Sequence, residues 1–314
     1  MLRIASSGIG SGGEMRNESA KVFMAMSEQT FFVVGTAKAG TSSLYEYLGA
    51  HPEVHMCPHK DVVCYFCRDW GLAVTEEKYR EWLLPPGDYK VAGDVCHAYM
   101  TDEAAASNMH RMFPDAKIIM ILRNPADRAF SMYNWLIANG YEFVPTFEQA
   151  LKEEGLRIAR NIRKDHRLLQ HGGTADYLYF HSGLYADQIA RYQQFYAADR
   201  ILFLKFDDLC ADTEKVVRQV YSFIGVDPDF KQKIEIHNEK RAVRSVRFQY
   251  FVRRAAFPFF GPRVGAFLLW LNTKNGRSLK LPPQTRARLI EQYRPDIEKT
   301  ADMTGLDLSD WLAS

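Results

Sequence analysis

The stretch FFVVGTAKAGTSSLYEYL, residues 31–48, decides the fold class of this chain. Its uninterrupted apolar run, residues 31–34, predicts a buried strand that ends at Gly35. A helical pattern then begins at Ser43 and continues to Leu48. A fully apolar strand that passes through a short loop into a helix is typical of a parallel sheet covered on both faces.

Two further segments repeat this arrangement. The run KIIMIL, residues 117–122, predicts a second buried strand, and Pro125 and a helix follow it. Residues 201–204 predict a third strand, followed by a helix over about residues 213–223, and residues 282–312 have a mostly helical pattern. We therefore expect an α/β fold with a central parallel sheet flanked by helices, in a single domain over residues 30–314. Residues 1–29 are expected to form a poorly ordered leader, because no apolar signal-peptide core follows Arg3.

Composition excludes several classes of protein. The 314 residues are 47% apolar and carry 40 Lys and Arg against 38 Asp and Glu, a net charge of +2. This balance argues against a disordered chain and against a uniformly basic nucleic-acid coat, so no nucleic-acid partner is expected. No run reaches the roughly 18 uncharged apolar residues of a spanning helix. The chain has five cysteines, an odd number, and reduced thiols are the simplest explanation. Because thiols stay reduced in the cytoplasm, we expect the protein to be located there.

The loop after the first strand is suited to hold an anion. Glycines at 35 and 40 let backbone N–H groups converge, and the following helix N-terminus adds positive potential. The hydroxyls of Thr41, Ser42 and Ser43 can donate to phosphate oxygens. A nucleoside-triphosphate P-loop places Lys directly after its second Gly, where this chain has Thr41, whereas Lys38 lies inside the loop. A kinase that uses ATP and Mg²⁺ is the alternative function at this point, since Asp207 and Asp208 follow the third strand and could hold the metal ion.

The second strand ends in a second cluster of phosphate-binding residue types. Residues 122–133 are LRNPADRAFSMY, so Arg123 falls at the carboxyl end of a parallel strand, where ligands bind in open α/β sheets. Arg offers a planar fork for phosphate, and Ser131 in the following helix can add a hydroxyl. Surface ion pairs are the alternative interpretation of these arginines.

Together the two segments resemble the sulfotransferases that use 3′-phosphoadenosine 5′-phosphosulfate (PAPS), in particular the bacterial and heparan-sulfate types. That family has a GxxKxGT(T/S)xL loop and an LRNPxxRAxSxY strand–helix, and both patterns occur here in the family's order. The resemblance extends from Phe31 to about Leu312 and includes GDVCHAY at residues 93–99 and FDDL at residues 206–209. It implies a P-loop-kinase-like sulfotransferase fold.

The resemblance also implies roles for individual residues. Lys38 would contact the bridging and sulfuryl oxygens and stabilise the leaving 5′-phosphate. Arg123 and Ser131 would bind the 3′-phosphate that distinguishes PAPS from ATP. Gly276 and Arg277 are similar to a late family loop that closes on this phosphate, although Asn275 is inserted before them. The expected set of donor-binding residues is Lys38, Ala39, Gly40, Thr41, Ser42, Ser43, Arg123, Ser131, Gly276 and Arg277.

Two residues are candidates for the general base. His97 stands where the aryl and steroid sulfotransferases carry a catalytic His, and an imidazole titrates near neutrality. Asp61 resembles the Glu that bacterial and heparan-type members use, with one methylene fewer. The heparan-type members have a Lys at the position of Val95, so the resemblance to them is incomplete here. The sequence therefore does not decide between His97 and Asp61 as the base. A buried structural His97 and a helix-capping Asp61 are the alternatives.

Other clusters point less clearly to a function. His55, Cys57, His59, Cys64 and Cys67 lie within thirteen residues, but their spacing matches no zinc module, and no metal is expected. Residues 237–263 are rich in Arg and Phe, which fits a solvated helix face, a contribution to the 3′-phosphate site, an anionic acceptor or a membrane surface. The apolar residues 255–271 would suit a lipid-like acceptor or a homodimer contact. A helical run of cations that begins at Arg157 is a candidate lining of the acceptor cleft.

These expectations combine into one function. The chain would transfer a sulfuryl group from PAPS to a hydroxyl, or alternatively to an amine, by in-line displacement, and release adenosine 3′,5′-bisphosphate. The acceptor could be a small molecule, a lipid or a saccharide. The rivals are the ATP-dependent kinase and a non-catalytic nucleotide-binding module.

Overall fold

A parallel sheet forms the centre of the protein. The computed structural model describes residues 29–58, 64–68, 74–159, 174–231, 242–274 and 280–313. Within these ranges the strands of the sheet are β1 (Thr30–Gly35), β2 (Val54–Met56), β3 (Val91–Val95), β4 (Lys117–Leu122) and β5 (Ile201–Lys205). Their order is β2-β3-β1-β4-β5, and every neighbouring pair is parallel.

Helices cover both faces of this sheet. In the described ranges the helices of the chain are α1 (Thr41–Gly49), α2 (Glu76–Leu83), α3 (Ala98–Thr101), α4 (Ala105–Met112), α5 (Pro125–Ala138), α6 (Phe147–Ala159), α7 (Tyr185–Gln193), α8 (Phe206–Ala211), α9 (Thr213–Ile224), α10 (Val246–Phe251), α11 (Phe257–Leu271) and α12 (Pro283–Thr304). Short 3₁₀ turns lie at Thr174–Tyr177, His181–Gly183, Ala198–Arg200 and Ser309–Leu312. The expected α/β class and the three expected strands are confirmed.

Successive side chains of the central strands enter two different apolar cores. Phe32 packs with one buried cluster and its neighbour Phe31 with the other. On β4, Ile118 and Met120 belong to the first cluster, whereas Ile119 belongs to the second. Side chains that alternate between two buried faces require apolar residues at every position, which is why these strands are continuous apolar runs.

Strands β2 and β3 were not predicted from the sequence. Strand β2 has only three residues, and β3 (VAGDV) contains a glycine and an aspartate. Gly93 is required by packing, since a Cβ there would lie 2.1 Å from Cζ of Phe31 on the neighbouring strand. A long-range contact of this kind leaves no local pattern in the sequence.

The strand order reverses at β1. The chain passes from β1 to β2 and β3 on one side of the sheet, and β4 lies on the other side of β1. Ligands of open α/β sheets bind in the crevice at such a reversal, beyond the carboxyl ends of the strands. The loop after β1 and the segment after β4 both begin at this edge.

A separate antiparallel pair, β6 (Ala242–Val243) and β7 (Thr273–Lys274), brackets α10 and α11. Helix α11 is interrupted at Gly261, whose φ of 78° and ψ of 171° are not helical, and Pro262 follows it. Over the described ranges, none of the helices combines the length and the apolar character needed to cross a membrane.

Candidate donor-binding and catalytic site

The loop between β1 and α1 presents backbone donors at a helix N-terminus. Gly40 is the N-cap of α1 with φ 90°, in the left-handed region that glycine favours. As glycine has no side chain, it cannot cap the first N–H groups of α1, and the first turn of the helix carries no acidic residue. Orphan N–H groups at a nine-residue helix fit a phosphate.

The expected ligands on this loop differ in exposure. Thr41 is buried, Ser43 is half-buried and Ser42 is exposed. Ala39 is buried, and its N–H donates to the carbonyl of Thr36 at 3.2 Å. The Lys38 backbone also lies in the left-handed region, with φ 67°. Its half-buried side chain places Nζ 5.5 Å from the centre of the Trp135 ring.

Arg123 joins the two motifs directly. Its Nη1 donates to the carbonyl oxygen of Lys38 at 2.8 Å, across 85 residues of sequence. Its guanidinium lies 4.7 Å from the centre of the Phe206 ring, and its own carbonyl accepts from the Tyr185 hydroxyl at 2.8 Å. Burial lowers the pKa of Arg123 from its ordinary value, and a guanidinium nevertheless stays charged at neutral pH. The structure therefore holds a positive charge against the anion-binding loop.

Ser131 lies in α5, the helix that follows Arg123. Trp135, which contacts Lys38, is four residues farther along the same helix. Residues at this spacing lie one above the other on a helix surface. Asn124 sets the start of α5, because its side-chain oxygen accepts from the N–H groups of Ala126 and Asp127. Lys38 and Arg123 thus meet at one edge of the sheet, and Ser131 shares a helix with Trp135, the residue beside Lys38.

His97 follows β3 at the same edge, on the opposite side of β1 from Arg123. A Cβ added to Gly35, at the end of β1, would lie 3.4 Å from the carbonyl oxygen of His97. The imidazole Nε2 of His97 lies 3.1 Å from Oδ1 of Asp176. The side chain of Asp176 is 5% exposed, while that of His97 is 21% exposed. A buried carboxylate therefore fixes the orientation of a partly accessible imidazole.

Asp94 is a second buried acid close to His97 in sequence. The hydroxyls of Tyr79 and Tyr99 both donate to its Oδ2, at 2.9 and 2.8 Å. Burial raises the pKa of Asp94 to about 6, although these two hydrogen bonds oppose the rise. Its 4% exposure makes Asp94 part of the support beneath the site rather than a group that a substrate can reach.

The cysteine-rich region packs beneath the same strand. Cys57, Cys64, Cys67 and Cys96 are buried and form no disulfide bond, and Sγ of Cys64 lies 2.9 Å from Sγ of Cys96. His55 uses Nε2 to contact the carbonyl of Trp82 at 2.9 Å. In the part of the chain that the structure describes, no group of three or more His, Cys, Asp or Glu side chains could hold a metal ion.

Several expected residues lie outside the described residues, namely Asp61, His59, Gly276 and Arg277. Of the run of cations predicted to line the acceptor cleft, Arg157 is described and the members after residue 159 lie outside the described residues. The prediction is wrong for Arg157. Its side chain is 7% exposed and pairs with the fully buried Glu142 at 2.9 Å. Burial of Arg157 depends on its pairing with Glu142. The helical spacing of the cations gives no sign of this partner, because Glu142 lies outside their run.

Asp207 does not stand as a free carboxylate for a nucleotide-bound metal. Its Oδ2 accepts from the indole N–H of Trp311 at 3.2 Å. Asp207 and Asp208 instead occupy the first turn of α8, where negative charge complements the helix dipole.

Sequence reasoning missed Asp176, Trp135 and Tyr185 as members of this site. Each contacts a proposed ligand or base across at least 62 residues of sequence. Trp135 lies in the helix that the second motif begins, so its spacing from Ser131 was the one available signal. Asp176 and Tyr185 belong to no motif and are found by the fold alone.

Comparisons with known proteins identify the family to which this chain is similar. The profile of the sulfotransferase domain family matches residues 28–256. Human heparan sulfate glucosamine 3-O-sulfotransferase 6 is 27% identical over 279 residues, which cover 88% of this chain and 71% of that protein. The human 3-O-sulfotransferase 3B1 is 26% identical over 282 residues, with 88% of this chain and 63% of that protein covered.

One solved structure has the same fold over nearly the whole chain. The crystal structure of a sulfotransferase from Alicyclobacillus acidocaldarius superposes with a TM-score of 0.68 and 25% identity, and the match covers 90% of this chain and 98% of that one. The expected sulfotransferase fold is thereby confirmed.

Proposed function

The chain belongs to the sulfotransferase domain family, and from this premise we propose that it transfers a sulfuryl group from PAPS to a hydroxyl acceptor. Membership of the family makes the protein an enzyme of sulfuryl transfer and sets aside the ATP-dependent kinase and the non-catalytic module. The donor, the acceptor class and the residue roles below are the proposal.

The observation that carries this proposal is the hydrogen bond from Arg123 to the Lys38 carbonyl, at 2.8 Å. It fixes the strand–helix motif against the loop motif. A donor that carries a 5′-phosphosulfate and a 3′-phosphate needs positive charge at two places along one crevice. The N-terminus of α1 with Lys38 offers the first place, and Arg123 with Ser131 offers the second.

Lys38 would stabilise the charge that develops during transfer. As the sulfur–oxygen bond to the 5′-phosphate breaks, its electron pair stays on the phosphate oxygen. An ammonium and helix N–H groups that are preorganised around that oxygen would lower the barrier. The Trp135 ring near Nζ restricts where the Lys38 side chain can point.

His97 would act as the general base. Its imidazole takes the proton of the acceptor hydroxyl while the acceptor oxygen forms the new bond to sulfur. The products are a sulfate ester, adenosine 3′,5′-bisphosphate and a proton on His97 that is later lost to solvent. Asp176 stabilises the protonated ring and holds its orientation. Asp61 stays the alternative base.

A hydroxyl is favoured over an amine as the acceptor because the relatives are named as 3-O-sulfotransferases of heparan sulfate glucosamine. These names describe transfer to an oxygen. The identity of the acceptor in this chain is proposed no more finely than a hydroxyl.

Thermal unfolding with nucleotides tests the donor site. Adenosine 3′,5′-bisphosphate at 100 times its Kd should add about 2.7 kcal/mol, a shift of a few degrees. AMP and ADP, which lack the 3′-phosphate, and ATP with Mg²⁺ should give much smaller shifts at the same concentration. An equal or larger shift with ATP and Mg²⁺ would contradict the proposal.

A pair of arginine variants assigns the 3′-phosphate contact. Arg123→Met should remove the preference for the bisphosphate over AMP. Arg200→Met is the matched control, because Arg200 also donates to a backbone carbonyl, that of Asp115 at 3.0 Å, but at the opposite end of the sheet. The control should keep the preference. If Arg123→Met kept the preference for the bisphosphate, the 3′-phosphate would have to bind to other residues.

A pair of lysine variants tests the transfer step. Lys38→Ala should lower kcat by about 10²–10³ while the bisphosphate still stabilises the fold. Lys117→Ala is the control, since its Nζ also lies near an aromatic ring, 5.7 Å from the centre of Phe223, at the start of β4. Near-normal turnover in Lys38→Ala would overturn the assignment of the loop.

A further inference from the structure

The segment 244–274 exposes a concentration of large apolar side chains. Among the described residues, seven of the twelve exposed large apolar side chains fall in this stretch. Phe259 is 83% exposed, Phe251 63% and Trp270 56%. The others are Phe248, Val264, Phe267 and Leu271. Single exposed apolar residues are ordinary, but a concentration of this size marks an interaction surface.

All the charged residues of this segment are positive. Residues 244–274 contain six Lys or Arg and no Asp or Glu, although the whole chain is nearly balanced at 40 to 38. Arg244, Arg247 and Arg263 are exposed. A segment that exposes both apolar side chains and cations is complementary to a partner that is itself apolar beneath an anionic exterior.

The base of the segment is firmly built, so the exposed side chains are not a sign of an unfolded region. The buried Gln249 donates to the carbonyl of Ala138 at 2.7 Å and accepts from Asn272 at 2.7 Å. Asn272 also donates to the carbonyl of Ser245 at 2.7 Å. These bonds fix the two ends of the segment to each other and to the end of α5.

The segment lies beside the donor loop. Trp135, whose ring is 5.5 Å from Nζ of Lys38, packs against Tyr141 with 5.8 Å between ring centres. The guanidinium of Arg253 lies 4.5 Å from the centre of the Tyr141 ring. Three contacts therefore connect the anion-binding loop to segment 244–274, so a partner bound there would lie close to the site.

We propose that segment 244–274 docks the enzyme on an anionic lipid bilayer, with its helices in the plane of the membrane surface. Exposed Phe and Trp would enter the interface, while the arginines would contact lipid phosphates. Helix α11 has fifteen residues, is broken at Gly261 and contains Arg263, which suits a helix that lies on a membrane and does not cross it.

Two other occupants fit the surface less well. A second copy of the chain packed on this face would bring two sets of six cations together. An anionic polysaccharide would satisfy the arginines but would leave the exposed aromatic side chains in water. A bilayer accommodates both features of the surface.

Vesicle co-sedimentation tests the proposal. The full chain should bind vesicles of phosphatidylcholine with 30% phosphatidylglycerol and should bind pure phosphatidylcholine much less. Phe267→Ser should weaken the binding, and Phe259→Ser/Phe267→Ser/Trp270→Ser should weaken it by about tenfold or more. Phe195→Ser is the control, because Phe195 is also exposed but lies outside the segment, and it should bind normally.

Charge variants separate the electrostatic contribution. Each of Arg244→Gln, Arg247→Gln and Arg263→Gln should lower binding to the anionic vesicles by about fivefold. Arg218→Gln, in α9, removes an exposed arginine that pairs with Asp229 and should change little. Binding of the wild type should fall with rising salt.

Three results would overturn the proposal. One is binding to anionic vesicles that the serine variants leave unchanged. A second is a dimer of the free protein that the triple serine variant dissociates, with no vesicle binding by the wild type. A third is tight binding of a soluble anionic polysaccharide that depends on the three arginines while vesicles do not bind. The adenosine 3′,5′-bisphosphate shift is measured on the same variants, so a failure of docking is distinguished from a failure of the donor site.

Discussion

At the scale of single residues, the hydrogen bond from His97 to Asp176 supports the role proposed for His97. The carboxylate is almost fully buried and the imidazole is partly accessible, so the first can orient the second toward a substrate. Asp176 would not touch the acceptor. It acts as a positioning residue whose effect passes through His97.

This arrangement predicts non-additive kinetics. His97→Ala should lower kcat by about 10² or more, and Asp176→Asn by a smaller factor, with little change in bisphosphate affinity. In the His97→Ala background, Asp176→Asn should cause no further loss, because the group that it orients is gone. Steady-state kinetics of the two single variants and the double variant make the comparison.

A different outcome would reassign the base. If His97→Ala loses only a few-fold while Asp61→Asn is inactive, the role belongs to Asp61. If the double variant shows the product of the two single losses, Asp176 acts independently of His97.

Asp94 predicts a pH dependence of stability. Because the folded state raises the pKa of Asp94 from 3.8 to about 6, the native state binds more protons than the unfolded state between these values. The free energy of unfolding should therefore fall as pH rises from about 4 to 6, by at most about 3 kcal/mol from this group, and level off above.

The change Asp94→Asn isolates this contribution. The amide can still accept from both tyrosine hydroxyls but does not titrate. Urea unfolding at pH 4, 5, 6 and 7 should show the wild type losing stability relative to Asp94→Asn across this range. Parallel stability curves for the two proteins would assign the burial penalty to other groups.

At the scale of elements, the sequence specifies structure where a local pattern is sufficient. Strands β1, β4 and β5 were predicted because both of their faces are buried and their sequences are uninterrupted apolar runs. The loop and the strand–helix motif were predicted because glycine, lysine and arginine stand at fixed spacings. Strand β3 was missed because its own sequence does not explain why it contains Gly93 and Asp94. Gly93 leaves room for the Phe31 ring on β1, and Asp94 accepts hydrogen bonds from the hydroxyls of Tyr79 and Tyr99. The link between His97 and Asp176 spans 79 residues and belongs to the fold alone.

A glycine comparison tests the packing of β3 against β1. In Gly93→Ala the new methyl group would meet the Phe31 ring, which has no room to move in a fully buried site, so stability should fall by about 1–3 kcal/mol. Gly155→Ala, in the middle of α6, adds the same methyl group where no atom lies within 4 Å. It should stabilise the protein by about 0.5–1 kcal/mol. Urea unfolding at neutral pH gives both values, and an equal effect of the two changes would show that β3 tolerates a side chain at this position.

At the scale of the whole molecule, the C-terminal end of the chain supports Arg123, a residue of the candidate donor site. The turn Ser309–Leu312 packs under the carboxyl ends of β4 and β5. Asn124 donates to the carbonyl of Trp311 at 3.2 Å, and the Trp311 indole packs against Tyr185 with 6.3 Å between ring centres. Tyr185 in turn donates to the carbonyl of Arg123. The position of Arg123 thus depends on a segment nearly 190 residues away.

This dependence predicts that Trp311 affects both stability and donor binding. Trp311 is 2% exposed, so Trp311→Ala should lower the free energy of unfolding by about 3–5 kcal/mol. It should also weaken adenosine 3′,5′-bisphosphate more than AMP, because the support of Arg123 is lost. Trp270→Ala makes the same chemical change at a position that is 56% exposed and should alter stability by less than about 0.5 kcal/mol, with the nucleotide preference intact. Trp311→Phe keeps a smaller aromatic ring but removes the bond to Asp207, and its effects should fall between those of the other two variants. Urea unfolding and nucleotide titration of the three variants decide the matter: a folded Trp311→Ala protein that still prefers the bisphosphate as the wild type does would show that Arg123 is held by β4 alone.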